Sequence, residues 1–102
     1  MITNNKSFVI LNQDISQDII KEIGSDWAYV IEIIMILKED NEFNIRAFKY
    51  RLWKSNQMYY RIKKRLLDKN IIKKSEYSYY FNPFIAYHPQ WVEDDIIMLF
   101  TK

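Results

Sequence analysis

The chain has 102 residues, of which 49% are hydrophobic and 17% aromatic, with one Gly, two Pro, no Cys and one His. That length and apolar content predict one domain around one core, and the scarcity of Gly and Pro argues against disorder, a long linker or a turn-rich all-β fold. The absence of Cys excludes disulfides and thiolate metal sites, and a single His cannot build a histidine metal site, so no metal or other cofactor is expected.

Met1–Lys6 is polar and is not followed by the apolar core of a signal peptide. The longest apolar run, Trp27–Leu37, contains Glu32 and is too short to cross a bilayer. A cytoplasmic protein with no membrane partner is therefore expected.

The net charge of +2 hides a strong asymmetry. Residues 1–45 carry three lysines against eight acidic residues, a net −5. Residues 46–75 carry eleven cations against Asp68 alone, a net +10. Residues 76–102 carry Lys102 against four acids, a net −3. A block this basic has the charge expected of a phosphate-binding surface, although it can also be a solvated face that balances the acidic first half.

In chain order, Phe8–Leu11 reads as a short extended stretch. Asp14–Ile23 places Ile15, Ile19, Ile20 and Ile23 at helical spacing, and Gly24 is suited to end that helix. Ser25 or Asp26 is expected to cap a second helix over Trp27–Glu39. This helix is apolar on two stripes, Trp27, Val30, Ile31, Ile34 and Leu37 on one and Tyr29, Ile33 and Ile36 on the other. It should therefore be covered nearly all round, by the terminal helices or by a second subunit. Asp40–Phe43 is a turn or a very short strand.

Asn44 then caps a third helix, Ile45–Trp53, with Ile45, Phe48 and Leu52 inward. Ser55 caps a fourth, Asn56–Lys69, and Asn70 supplies the left-handed residue that ends it. Ile71–Ser75 and Tyr77–Asn82 form a hairpin, which Asn82-Pro83 breaks. Phe84–Tyr87 is extended, and Trp91–Phe100 forms a last helix with Val92, Ile96, Leu99 and Phe100 inward.

The fourth helix divides cleanly at 100° per residue. Ser55, Met58, Tyr59, Ile62, Leu66 and the stem of Lys69 share one side. Gln57, Tyr60, Arg61 and Lys64 share the other, a set able to read base edges and grip phosphates. Lys63 and Arg65 flank that face, and Lys54 and Asn56 stand at the helix N-terminus, the end by which a DNA-reading helix usually enters the major groove. Lys73 and Lys74 on the hairpin, and Arg46 and Lys49 on the third helix, are expected to hold flanking backbone.

The order helix, helix, short turn, helix, hairpin resembles a winged helix-turn-helix. Phe48, Leu52, Ser55, Tyr59, Ile62, Leu66 and Ile72 occupy its apolar and capping positions, and Asn70 stands where many members have Gly. Trp53 replaces the usual turn Gly, and Lys49 the usual small residue, so the turn is longer or the two helices lie farther apart. Tyr80-Phe81-Asn82-Pro83-Phe84-Ile85-Ala86, followed by a helix ending Leu99-Phe100, resembles the end of RepL-type plasmid replication proteins and related phage proteins. The resemblance implies an α+β, mostly helical fold with extra N-terminal and C-terminal helices. It implies further that residues 1–102 form one winged-helix domain: an N-terminal segment and helix at 8–26, a helical core at 27–69, a wing at 70–82 and a C-terminal extension at 83–102. It also implies a mobile-element protein acting in replication initiation or transcription regulation.

Catalytic motifs are lacking. There is no Gly-rich phosphate loop and no nucleophile elbow. Glu93-Asp94-Asp95 reads as the acidic first turn of the last helix, Asp14 and Asp18 as solvated, and His88 as a surface loop residue. The expected function is sequence-specific binding of double-stranded DNA by a homodimer, without enzymatic activity. Two other functions suit the same residues. One is a protein-interaction module that binds a host or element-encoded protein. The other is a single-strand binder that stacks bases on Tyr60, Tyr79, Tyr80 and Phe81, although strand alternation sends part of that set into the core.

Overall fold

The computed structural model describes residues 10–87 and 94–101. The expectations for Met1–Lys6, for Phe8, for His88 and for the start of the last helix at Trp91–Glu93 lie outside the described residues.

The fold is α+β and mostly helical. Strand β1 (Ile10–Leu11) leads into helix α1 (Gln13–Ile23). The Asn12 side chain caps α1, its Oδ1 accepting the Ile15 N–H at 3.2 Å. Ile23 is buried and Ile15 and Ile19 pack against the core, as the helical spacing requires. Gly24 ends the helix at φ 60°, ψ −128°, a conformation open to Gly because it has no Cβ, and its N–H reaches the Ile20 carbonyl.

Helix α2 (Trp27–Ile34) departs from expectation at both ends. Neither Ser25 nor Asp26 caps it through a side chain, because Gly24–Asp26 forms a 3-10 turn that runs straight into the helix. The α-helix also stops short of Glu39. Ile36 and Leu37 donate to carbonyls three residues back, which tightens the last turn, and Lys38 is extended. A run of β-branched residues propagates a helix weakly, and the chain must turn here to bury Asn41. Val30, Ile33 and Leu37 are buried and α2 packs against α1 and the helix that follows, but Ile31 and Met35 remain exposed. Among the described residues, cover on all sides of α2 is thus not provided.

A 3-10 turn at Glu39–Asn41 precedes strand β2 (Glu42–Phe43). Helix α3 (Ile45–Leu52) is capped by Asn44, whose Oδ1 accepts from the Arg46 and Ala47 amides. Trp53, in the left-handed region at φ 53°, closes α3, and Ser55 caps helix α4 (Asn56–Asp68) by accepting the Met58 N–H. The connection is therefore short: Trp53 adopts the conformation for which a turn Gly is usual.

Helix α4 ends in a Schellman motif. Asn70 is left-handed at φ 61°, its N–H donates to Leu67, and the Ile71 N–H reaches back to Leu66. Strands β3 (Ile72–Ser75) and β4 (Ser78–Phe81) form the hairpin, and β2 adds to β4, giving an antiparallel sheet in the order β2-β4-β3. Asn82 then turns the chain. Its Oδ1 accepts the Phe84 N–H at 2.8 Å, and its Nδ2 donates to the Asn70 carbonyl at 2.9 Å. Strand β5 (Ala86–Tyr87) pairs with β1, and helix α5 (Asp94–Leu99) buries Ile96, with Phe100 buried just beyond it.

Phe48, Phe81, Ile33, Leu66, Ile71, Ile72 and Ile85 form the most deeply buried part of the core. The polar Asn41 sits among them, its Nδ2 donating to the carbonyls of Phe81 at 3.1 Å and Ala86 at 2.8 Å. It ties the three-stranded sheet to the two-stranded one.

Candidate nucleic-acid interface

Helix α4 presents the expected division. Tyr59, Ile62 and Leu66 are buried, whereas Asn56, Gln57, Tyr60, Arg61 and Lys64 are exposed. Burial and charge together sort the surrounding cations into three groups.

The first group converges on three tyrosines. Lys63 of α4 lies half-buried, with its Nζ 5.5 Å, 5.1 Å and 5.7 Å from the ring centres of Tyr59, Tyr60 and Tyr79. Lys49 of α3 reaches the same pair, 5.3 Å from Tyr59 and 5.9 Å from Tyr60. Lys74 of β3 lies 5.7 Å from Tyr79, the residue opposite it in the sheet. Three separate elements thus bring three ammonium groups to one aromatic platform. Each such contact contributes about 0.5–1 kcal/mol at a partly exposed site. Among the described residues no carboxylate forms an ion pair with any of the three. A ring face positions a lysine without neutralising it, so the positive potential is left for a third party. Tyr59 forms the floor. Burial, then the neighbouring Tyr79 and Tyr60, push its phenol from 10.0 to about 12, so it stays neutral at any physiological pH.

The second group is committed to carboxylates. Arg65 pairs with Asp26 at 3.1 Å, Lys69 with Glu22 at 3.9 Å, and Arg51 with Glu32 at 2.7 Å. These pairs stitch the basic segment back to α1, α2 and the 3-10 turn between them, and so use part of the acidic charge of the first half of the chain. Arg61 lies on this same flank, beside a groove lined by Asp26, Tyr29 and Arg65, with its Nη2 against Met58 Sδ. Lys64 pairs with Asp68 one turn on, at 3.0 Å and highly exposed, an interaction worth at most about 0.5 kcal/mol.

The third group borders an open groove of about 570 Å³ lined by Arg46, Lys49, Tyr50, Trp53 and Lys54. Lys73 stands apart from all three. Strand alternation places it on the opposite sheet face from Lys74, with its Nζ 6.0 Å from the Phe100 ring.

Of the residues singled out from sequence, the structure therefore brings Lys49, Tyr60, Lys63 and Lys74 together. Asn56, Gln57 and Lys64 extend along α4 from them. Sequence reading missed Tyr59 and Tyr79 as the platform. The Tyr59-Tyr60-x-x-Lys63 spacing carried a local signal, since i,i+3 and i,i+4 side chains meet on a helix. It also missed the exposed Tyr50 and Trp53. The proposed stacking set on the hairpin is not available as such, because Phe81 is buried and Tyr79 and Tyr80 are half-buried.

Among the described residues no group of His, Cys, Asp and Glu could hold a metal ion, and no helix is long and apolar enough to cross a membrane. No protein-family model matches the chain, and comparison with curated proteins and with solved structures gives no significant match.

Proposed function

We propose that the protein is a winged-helix, sequence-specific binder of double-stranded DNA, and that it acts by binding rather than by catalysis. The observation that carries this reading is the convergence of Lys49, Lys63 and Lys74 on the Tyr59–Tyr60–Tyr79 platform, beside the exposed polar face of α4. The fold reading draws on the sheet order β2-β4-β3, with β2 before the α3–α4 pair and the hairpin after it. That order is compatible with a winged helix, in which the second helix of the pair would enter the major groove.

In this reading the three lysines hold phosphates and fix the register of the protein on the duplex. Gln57 and Arg61 read base edges, Gln on adenine and Arg on guanine. Arg65 contributes little to phosphate binding, because Asp26 already holds it. The Asn82-Pro83-Phe84 step, which is built as a side-chain-stabilised turn, supports a role in plasmid or phage replication or regulation by its resemblance to RepL-type proteins.

Selection from a random duplex pool tests the proposal. An enriched site is expected, and Gln57→Ala or Arg61→Ala should relax it at one or two positions, by about 1–3 kcal/mol each. Lys63→Ala should weaken all sequences alike, whereas Arg65→Ala should leave affinity nearly unchanged. A pool without enrichment, together with equal effects of Lys63→Ala and Arg65→Ala, would refute the reading.

A further inference from the structure

Tyr50, Trp53 and Tyr77 are the most exposed large hydrophobic side chains among the described residues, at 80%, 89% and 97%. Trp53 is the most telling of them. Its backbone is left-handed at φ 53°, a conformation that strains any residue with a Cβ. At 89% exposure the indole returns almost no packing energy for that strain. A strained, solvent-facing Trp makes physical sense if its partner lies outside the chain.

The surroundings identify the partner's chemistry. Tyr50 and Trp53 line a groove of about 570 Å³ whose other walls are Arg46, Lys49 and Lys54. Every charged residue in that lining is a cation. Arg46 also lines the neighbouring groove that contains Tyr77. Flat rings interleaved with cations suit a ligand that is itself flat rings joined by anions. In a duplex the base faces are stacked on each other and closed to a protein ring. In a single strand they are free, and stacking on aromatic side chains is a sequence-tolerant source of affinity.

We propose that this groove binds an unpaired stretch of nucleic acid, with a base stacked on Trp53 or Tyr50 and the adjoining phosphates held by Arg46 and Lys54. Lys49 belongs both to this groove and to the tyrosine platform, so the two surfaces are continuous. The inference rests on the duplex reading in that respect. It assigns the protein to a place where duplex and unwound DNA meet.

The test compares three fluorescent probes by anisotropy on the full chain: a blunt duplex, the same duplex with an oligothymidylate overhang, and oligothymidylate alone. The overhang should tighten binding by the wild type by about 5- to 150-fold, the range for one stacked base. Trp53→Ala should remove that gain while leaving blunt-duplex affinity unchanged, and Trp53→Phe should restore most of it. At 89% exposure these substitutions leave the core intact.

An overhang that adds nothing in the wild type would overturn the proposal. So would a Trp53→Ala variant that weakens blunt and tailed duplexes equally, since the groove would then be part of one duplex face. Binding of oligoglutamate but not of oligothymidylate would also overturn it, and would assign the groove to an acidic protein. Trp53-dependent binding of oligothymidylate without any binding of the blunt duplex would sustain the groove and refute the duplex reading alone.

Discussion

Replacing Asn41 by Ala should be among the most destabilising single changes in this chain. Asn41 is fully buried, and its Nδ2 donates to two main-chain carbonyls, of Phe81 and Ala86, that belong to different sheets. Truncation to Ala leaves both acceptors without that donor, in a site closed to water. Leaving a buried polar group unsatisfied costs about 1–3 kcal/mol. The left-handed backbone at φ 59° adds to this, because Asn tolerates that region better than Ala does. Two acceptors at that cost give about 2–6 kcal/mol before the backbone contribution, against a total stability of about 5–15 kcal/mol for a domain. Urea denaturation followed by circular dichroism should show a much lower midpoint with the slope retained.

Asn41→Asp provides the electrostatic control. It keeps the shape but points a carboxylate at two carbonyl oxygens, so its native pKa should rise above the unfolded value. Such a group leaves stability intact below the unfolded pKa and removes it as pH rises through the native one. Asn41→Asp should therefore be least stable near neutrality and recover in acid. A loss under about 1 kcal/mol for Asn41→Ala would show that the amide is not the tie between the sheets.

Two further outcomes follow from the same structure. Trp53→Gly should stabilise the chain by about 0.5–1 kcal/mol, because it relieves a left-handed residue and gives up almost no buried area; a clear loss in the urea midpoint would mean that the indole packs on the protein after all. The Tyr59 phenol, raised to about 12 from 10.0, should make stability independent of its ionisation below pH 10, then lower it as pH rises from 10 towards 12, where the unfolded phenol ionises and the native one does not. Tyr59→Phe should flatten that part of the stability curve relative to wild type, and identical curves would count against a desolvated Tyr59.

The parts of this structure that could be read from sequence are those fixed by neighbours in the chain. Asn44 and Ser55 cap their helices and Asn70 turns left-handed where they were expected to, because each depends on main-chain groups two to five residues away. The inward faces of α3 and α4 follow from spacing alone. What was not legible depends on distant partners. Ser25 or Asp26 is the expected cap of the second helix, but neither side chain caps it, and Asp26 pairs with Arg65. The second helix stops early because the chain must bury Asn41 against Phe81 and Ala86, a demand with no local signature.

The same distinction runs through the candidate site. The polar face of α4 was evident from a helical wheel. That Lys49 and Lys74 join Lys63 over one tyrosine platform is a property of how α3 and the hairpin pack on α4. Equally, sequence gave no sign that Arg65 is engaged by a carboxylate while Lys63 is not, since both simply flank the exposed face.

The most direct test of the phosphate-binding surface is the salt dependence of duplex binding by the wild type and by the Lys49→Ala, Lys63→Ala, Lys74→Ala triple variant. Each phosphate neutralised contributes about 0.9 to the slope of log K against log salt concentration, so removing three contacts should flatten the slope by about 2.7. That reduction is the expected result. Equal slopes for the two proteins, or no binding of the duplex by the wild type even at low salt, would contradict it.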